Sequence, residues 1–186
     1  MFPWIRLIGA GLSQVGRPKA DLLAITTVRL RVWPNDLDAN LHVNNGRYLA
    51  LADVGRIHWF LHTGMLAVAR RRNALPVVGD AIAKFRRDLR AFQTFELQTR
   101  LMGWDQKWAY MEHRFVRAGR VLGIVAIRGV FKGPRGPLPP KELAVDLSRP
   151  EISPTLPDWV LRFDEAAEGL SQSLREEERA AGMREQ

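Results

Sequence analysis

One long helical stretch followed by four strand-like runs leaves a chain few ways to bury its apolar surface. Residues 33–64 read WPNDLDANLHVNNGRYLALADVGRIHWFLHTG, a short polar loop closed by two asparagines that leads directly into that helix. Either Asn44 or Asn45 makes a good N-cap, because a side-chain oxygen there accepts from the otherwise unpaired N–H groups of the first turn. Gly64 is a natural terminator. Upstream, residues 26–33 (TTVRLRVW) alternate over a β-branched run and stop at Pro34, which predicts a strand with one wet face. Downstream, residues 76–90, 92–103, 107–118 and 121–133 are strand-like, with breaks around Ala91, Asp105 and Gly119. Residues 69–73 (ARRRN) read as a basic connector, and 133–140, rich in Gly and Pro, as a rigid non-regular segment. The expected class is α+β, one helix against one antiparallel sheet.

The two ends differ from this middle. Residues 2–15 place Trp4, Leu7, Ile8, Leu12 and Val15 at helical spacing, without the cleavage pattern of a signal peptide. This amphipathic segment either packs on the body or makes a peripheral membrane contact. Residues 150–157 are Pro-rich, and 164–181 form a charged helical tail. The expected division is 1–24, 25–135 and 136–186. No apolar run reaches the ~18 residues of a membrane span. With no cysteine the chain has no thiolate chemistry, so a cytoplasmic location is the default. The net charge of +8 favours an anionic partner.

Chemistry concentrates in the polar loop. Asp36, Asp38, Asn40, His42, Asn44 and Asn45 lie within ten residues. The helix start they precede is electropositive and suits a developing oxyanion or a phosphate. Around the helix, Arg47, His58 and His62 cluster with Leu51 and Val54, while Leu49, Ala52, Ile57, Trp59 and Phe60 crowd the other side. Asp53 falls on that apolar side, where an acid needs a partner, and Arg56 three residues on supplies one. Asp36 reads as a solvated capping residue. His58 and His62 are spaced like metal ligands but lack an intervening Glu or a third ligand, so neither a metal nor a cofactor is expected. The basic runs 70–72 and 84–90 are solvated faces, clamps for coenzyme A phosphates or a nucleic-acid patch, with Trp104 and Trp108 available to stack or to pack. The motifs of serine hydrolases, P-loops and dinucleotide sites are absent, and nucleic acid is not the expected partner.

In order, Asp38, His42-Val43-Asn44-Asn45, Tyr48, Asp53, Gly64, the basic stretch Lys84 to Arg90 and the strand Glu112-His113-Arg114-Phe115 resemble the hot-dog fold thioesterases of the 4-hydroxybenzoyl-CoA thioesterase-like family. The resemblance covers about residues 25–135. Asp36-Leu37-Asp38 with Leu41 is similar to the subgroup that includes the animal thioesterase superfamily member 6 proteins. Many family members have Gly where this chain has Leu41, and Gly permits positive φ. The resemblance implies a five-stranded antiparallel sheet wrapped around the helix, and a homodimer or homotetramer with an acyl-CoA or acyl carrier thioester at the interface. It assigns Asp38 as general base or nucleophile, with Asn45 and His42 in the catalytic set. Asn44, Tyr48, Asp53, Arg86 and Arg87 are then the substrate-binding residues. A hot-dog domain that binds acyl groups without hydrolysing them is the alternative reading, and Asp38-x-Asn40-x-His42 also resembles the hydratase branch of the fold.

Overall fold

The central helix begins where the loop supplies a cap. In the computed structural model, which describes Arg6, Gly9 and residues 19–147 and 152–182, Asn44 is the N-cap and its Oδ1 accepts from the Gly46 N–H at 2.9 Å. Helix α1, Asn45–Thr63, stops at Gly64, whose φ of 85° is the left-handed conformation that ends helices at low steric cost. The chain then forms a second helix, α2 (Met65–Arg71), where the sequence led us to expect a connector. Met65, Val68 and Ala69 are buried at helical spacing, and that tertiary contact draws the arginines into the helix.

The strands are β1 (Thr26–Arg31), β2 (Leu75–Phe85), β3 (Thr94–Trp104), β4 (Ala109–Arg117) and β5 (Arg120–Gly133). They pair antiparallel in the order β1-β3-β4-β5-β2. A short sixth strand, β6 (Gly136–Leu138), pairs with β5, so the Gly/Pro segment expected to be non-regular is a hairpin. Pro137 fits there because a strand at the sheet margin can lack a ladder donor. Pro76 fits for the same reason in β2, an edge strand. Register shifts between Val78 and Asp80, Leu101 and Gly103, and Phe115 and Val116 bend the sheet. The result is the curled antiparallel sheet of a hot-dog fold, with α1 on its inner side. Helix α3 (Pro140–Asp146) continues this body, which runs to Pro154 and so past the expected limit at 135. Helix α4 (Asp158–Ala180) belongs to a separate C-terminal unit. Among the described residues no helix is long and apolar enough to cross a membrane.

A curled sheet buries more than one side of its helix, and this corrects the expected division of α1 into two faces. Leu51, Ala52, Val54, Trp59 and Phe60 are buried together with His58, while Leu49 is 44% exposed. Leu97, Phe115, Val125 and Ile127 meet them from the sheet. The closest approach is at Gly55. A β-carbon there would lie 2.4 Å from Thr99 Oγ1 and 2.9 Å from Leu97 Cδ2. Gly55→Ala should therefore lower unfolding free energy by roughly 1–3 kcal/mol through overpacking, despite the better helix propensity of Ala. Urea denaturation checks it, and an unchanged midpoint would mean the helix can lift without cost.

Candidate active site

The loop before α1 is a small hairpin held on three sides. The Asp38 N–H donates to His42 O at 2.9 Å, and the Leu41 N–H donates to Asp38 O at 3.0 Å. Leu37 pairs with Val43 and His42 with Arg90 in isolated bridges. The Val43 N–H donates to Leu89 O at 2.8 Å, and the Asn44 N–H to Asp36 O at 2.9 Å. Leu41 has φ 59°, so it takes the left-handed conformation that glycine would take and the loop keeps its tight path. The Asp38 side chain is half-buried, and its Oδ1 accepts from the Asn40 N–H at 2.9 Å. Oδ2 has no protein partner among the described residues, so the carboxylate is oriented while one oxygen remains available.

Asp36, two residues away, has a different role. It is 0% exposed, and this corrects its reading as a solvated cap. Arg6 Nη1 and Nη2 donate to Oδ1 and Oδ2 at 3.0 and 2.5 Å, and Arg47 Nη2 donates to Oδ1 at 2.8 Å. The Trp33 N–H adds a bond to Oδ2 at 2.8 Å. Burial pushes the Asp36 carboxyl up, but the Arg6, Trp33 and Arg47 bonds outweigh it and hold the group below the usual carboxylate range. Asp36 is thus the buried acid between two arginines, and it ties the loop to residues 30 positions upstream and 11 downstream. No local pattern signals such a partner.

The remaining candidates divide by environment. Asn45, the first residue of α1, and the Asn44 cap are exposed beside the loop. His42 Nε2 lies 3.2 Å from Asp88 Oδ2, a carboxylate that sequence reasoning did not single out. The Arg86 and Arg87 side chains are exposed. Both their N–H groups converge on Leu122 O, at 2.8 and 3.0 Å, which takes the chain out of the ladder and ends β2 at Phe85, short of the expected Arg90. Tyr48 lies in the core at 3% exposure, its ring edge-on to Phe85 and Phe115 at 5.0 and 4.7 Å. Burial, with the Asp88 charge, pushes its hydroxyl up to about 12. Trp104 is buried, and Trp108 has the Lys107 and Arg128 cations each 4.4 Å from its ring centre, so neither indole offers a free face for a base.

Asp53 pairs with Arg56 midway along α1, as its spacing predicts. Burial lowers the Arg56 pKa and the Asp53 charge opposes that shift. Beneath them His113 is buried, with Nδ1 3.0 Å from Thr99 Oγ1, and burial followed by the Arg56 charge pushes it down to about 3. It is therefore neutral at physiological pH. Asp53→Asn should cost about 1–3 kcal/mol of stability and leave turnover per folded molecule nearly unchanged. A stable variant without activity would instead promote Asp53 to the catalytic set.

A sequence profile of the Thioesterase-like superfamily matches residues 32–161, a span that contains the whole loop, α1 and the sheet from β2 onward. The chain belongs to this family. Among its relatives, Protein THEM6 of Danio rerio is 35% identical over 168 residues, covering 86% of this chain and 79% of the fish protein. Protein THEM6 of Xenopus laevis is 34% identical over 146 residues, covering 78% and 70%. Among solved structures, the YbaW probable thioesterase of Escherichia coli superposes with a TM-score of 0.61 at 21% identity, over 65% of this chain and 95% of that one, which supports the fold.

Proposed function

We propose that this chain hydrolyses an acyl thioester, of coenzyme A or an acyl carrier, to the free acid and thiol, with Asp38 as the catalytic carboxylate. The observation that carries this reading is the Asp38 side chain, oriented through one oxygen at a hairpin that delivers the chain to a capped helix start. In the general-base course, Asp38 Oδ2 takes a proton from water as the water oxygen bonds to the thioester carbonyl carbon. The C–S bond then breaks and the thiolate recovers a proton. In the nucleophilic course the carboxylate attacks the carbonyl carbon, the C–S bond breaks and the thiolate leaves and takes up a proton, and water then hydrolyses the resulting mixed anhydride to the free acid and the Asp38 carboxylate. Either way the carbonyl oxygen gains charge, and in this scheme the Asn45 N–H at the electropositive helix start stabilises it, since the Asn44, Gly46 and Arg47 N–H groups already have acceptors. His42 is the proton carrier beside Asp38. Arg86 and Arg87 receive coenzyme A phosphates, Asn44 keeps the helix start in place, and the Tyr48 ring supports Phe85 along the acyl path. Asp53, in this scheme, acts only through Arg56.

The site is proposed to be completed by a second copy of the chain. Edge strand β2 exposes Leu75, Val77, Val78, Ile82 and Phe85, and an open apolar edge invites strand pairing. A homodimer or homotetramer is expected in light scattering at micromolar concentration, and a monomer would count against both the assembly and an interfacial site. A reducing compartment such as the cytoplasm fits the cysteine-free chain. The decisive experiment is a panel of acyl-CoA substrates of increasing length, followed by thiol release. Tight binding without release across the whole panel would favour the acyl-binding reading, although the glycine-like path of Leu41 removes the main structural argument for it.

A further inference from the structure

Two exposed tips beside the candidate site carry bulky apolar side chains on backbone that favours glycine or asparagine. Leu41, at φ 59°, is 70% exposed, and Phe92, at φ 62°, is 53% exposed. Trp33, 48% exposed, stands next to Phe92. The Arg31 guanidinium lies 6.0 Å from the Trp33 ring centre and 5.8 Å from that of Phe92, and Arg31 Nε donates to Phe92 O at 3.0 Å. The bond from the Phe92 N–H to Val32 O and the bridge between His42 and Arg90 bring Trp33, Leu41 and Phe92 to one end of the fold. Arg31, Arg86, Arg87 and Arg90 are exposed around them, against Asp38 and Asp88, so four cations and two acids leave a local charge of +2.

We propose that this end of the molecule docks on an anionic phospholipid bilayer, with Trp33, Leu41 and Phe92 entering the headgroup region and the four arginines facing lipid phosphates. An apolar centre within a cationic rim is what an interfacial contact requires. Apolar and aromatic side chains enter the boundary, each basic residue adds attraction to an anionic surface, and guanidinium matches phosphate geometry. A second copy of this chain is the poorer occupant, because a two-fold contact would set one positive patch against another. The docking stands apart from the hydrolase reading. If that reading also holds, the second copy lies along β2 and leaves Trp33, Leu41 and Phe92 uncovered, and Arg86 and Arg87 pass from lipid phosphates to those of coenzyme A as the acyl substrate enters at the Asp38 loop.

The test uses the full chain and sedimentation with vesicles of phosphatidylcholine, with or without phosphatidylglycerol. Wild type should partition at least roughly tenfold more strongly onto the anionic vesicles, and added salt should release it. The double variant Leu41→Asn/Phe92→Asn places at both positions a residue that tolerates the left-handed conformation, so folding should be preserved. It should lose roughly tenfold or more in partitioning, as expected for two apolar side chains withdrawn from the boundary. Absence of wild-type binding to anionic vesicles would overturn the proposal. So would equal binding by the double variant, which would move the contact elsewhere, for instance to residues 2–15. A change of assembly state in the double variant would also overturn it, since the patch would then be a contact between copies.

Discussion

Asp38→Asn should lower acyl-CoA hydrolysis by about 100–10,000-fold, the usual worth of a positioned general base, while the protein stays folded and still binds its substrate. Asn keeps the size of Asp, and its side-chain oxygen can still accept the Asn40 N–H that shapes the turn. The hairpin bonds through Asp38 N and O are backbone bonds and survive the change. What disappears is a group that can take a proton from water or attack a carbonyl at neutral pH. The loss should therefore appear in kcat, with KM and the urea midpoint close to wild type. Residual turnover would come from the helix start and from substrate positioning. Equal hydrolysis by wild type and variant would remove Asp38 from the site, whatever the substrate.

Asp36→Ala should behave in the opposite way, unfolding the protein more easily by about 3–5 kcal/mol, the usual consequence of removing one partner from a buried ion pair. The variant would leave Arg6 and Arg47, with side chains only 11% and 16% exposed, without their shared acid. The Trp33 N–H would also lose its acceptor. Any activity loss should follow the unfolded fraction and recover in a stabilising osmolyte, whereas that of Asp38→Asn should not. The pH dependence gives a second readout. A carboxyl whose folded pKa lies below its unfolded value stabilises fully above about pH 4, and this stability fades as pH falls through the lowered folded value. Asp36→Ala should lose that component. His113 contributes separately and at higher pH. The unfolded chain takes up its proton near 6.5, and the folded protein resists until about 3, so stability also declines across that interval. The variant should keep this second decline. A wild-type-like urea midpoint for Asp36→Ala would show that the arginines find other partners.

These two aspartates show where sequence reading ends. Asp36 and Asp38 are two residues apart in one polar loop, and both are equally visible as candidate acids. Asp38 makes its bonds locally, to Asn40, Leu41 and His42, so its place at the head of a capped helix follows from the neighbouring residues. The same is true of the Asn44 cap, the Gly64 stop and the Asp53–Arg56 pair, all set by spacings of a few residues. The order of one helix and four hairpin-spaced runs carried the α+β class for a similar reason, because periodicity is a local property of the chain. Tertiary structure decided the rest. Only the folded chain brings Arg6 to Asp36, Asp88 to His42, and Leu122 to the N–H groups that end β2. It also buries His58 and Tyr48 and turns a basic connector into helix α2, since a sheet that curls around a helix covers sides that helical periodicity alone leaves open.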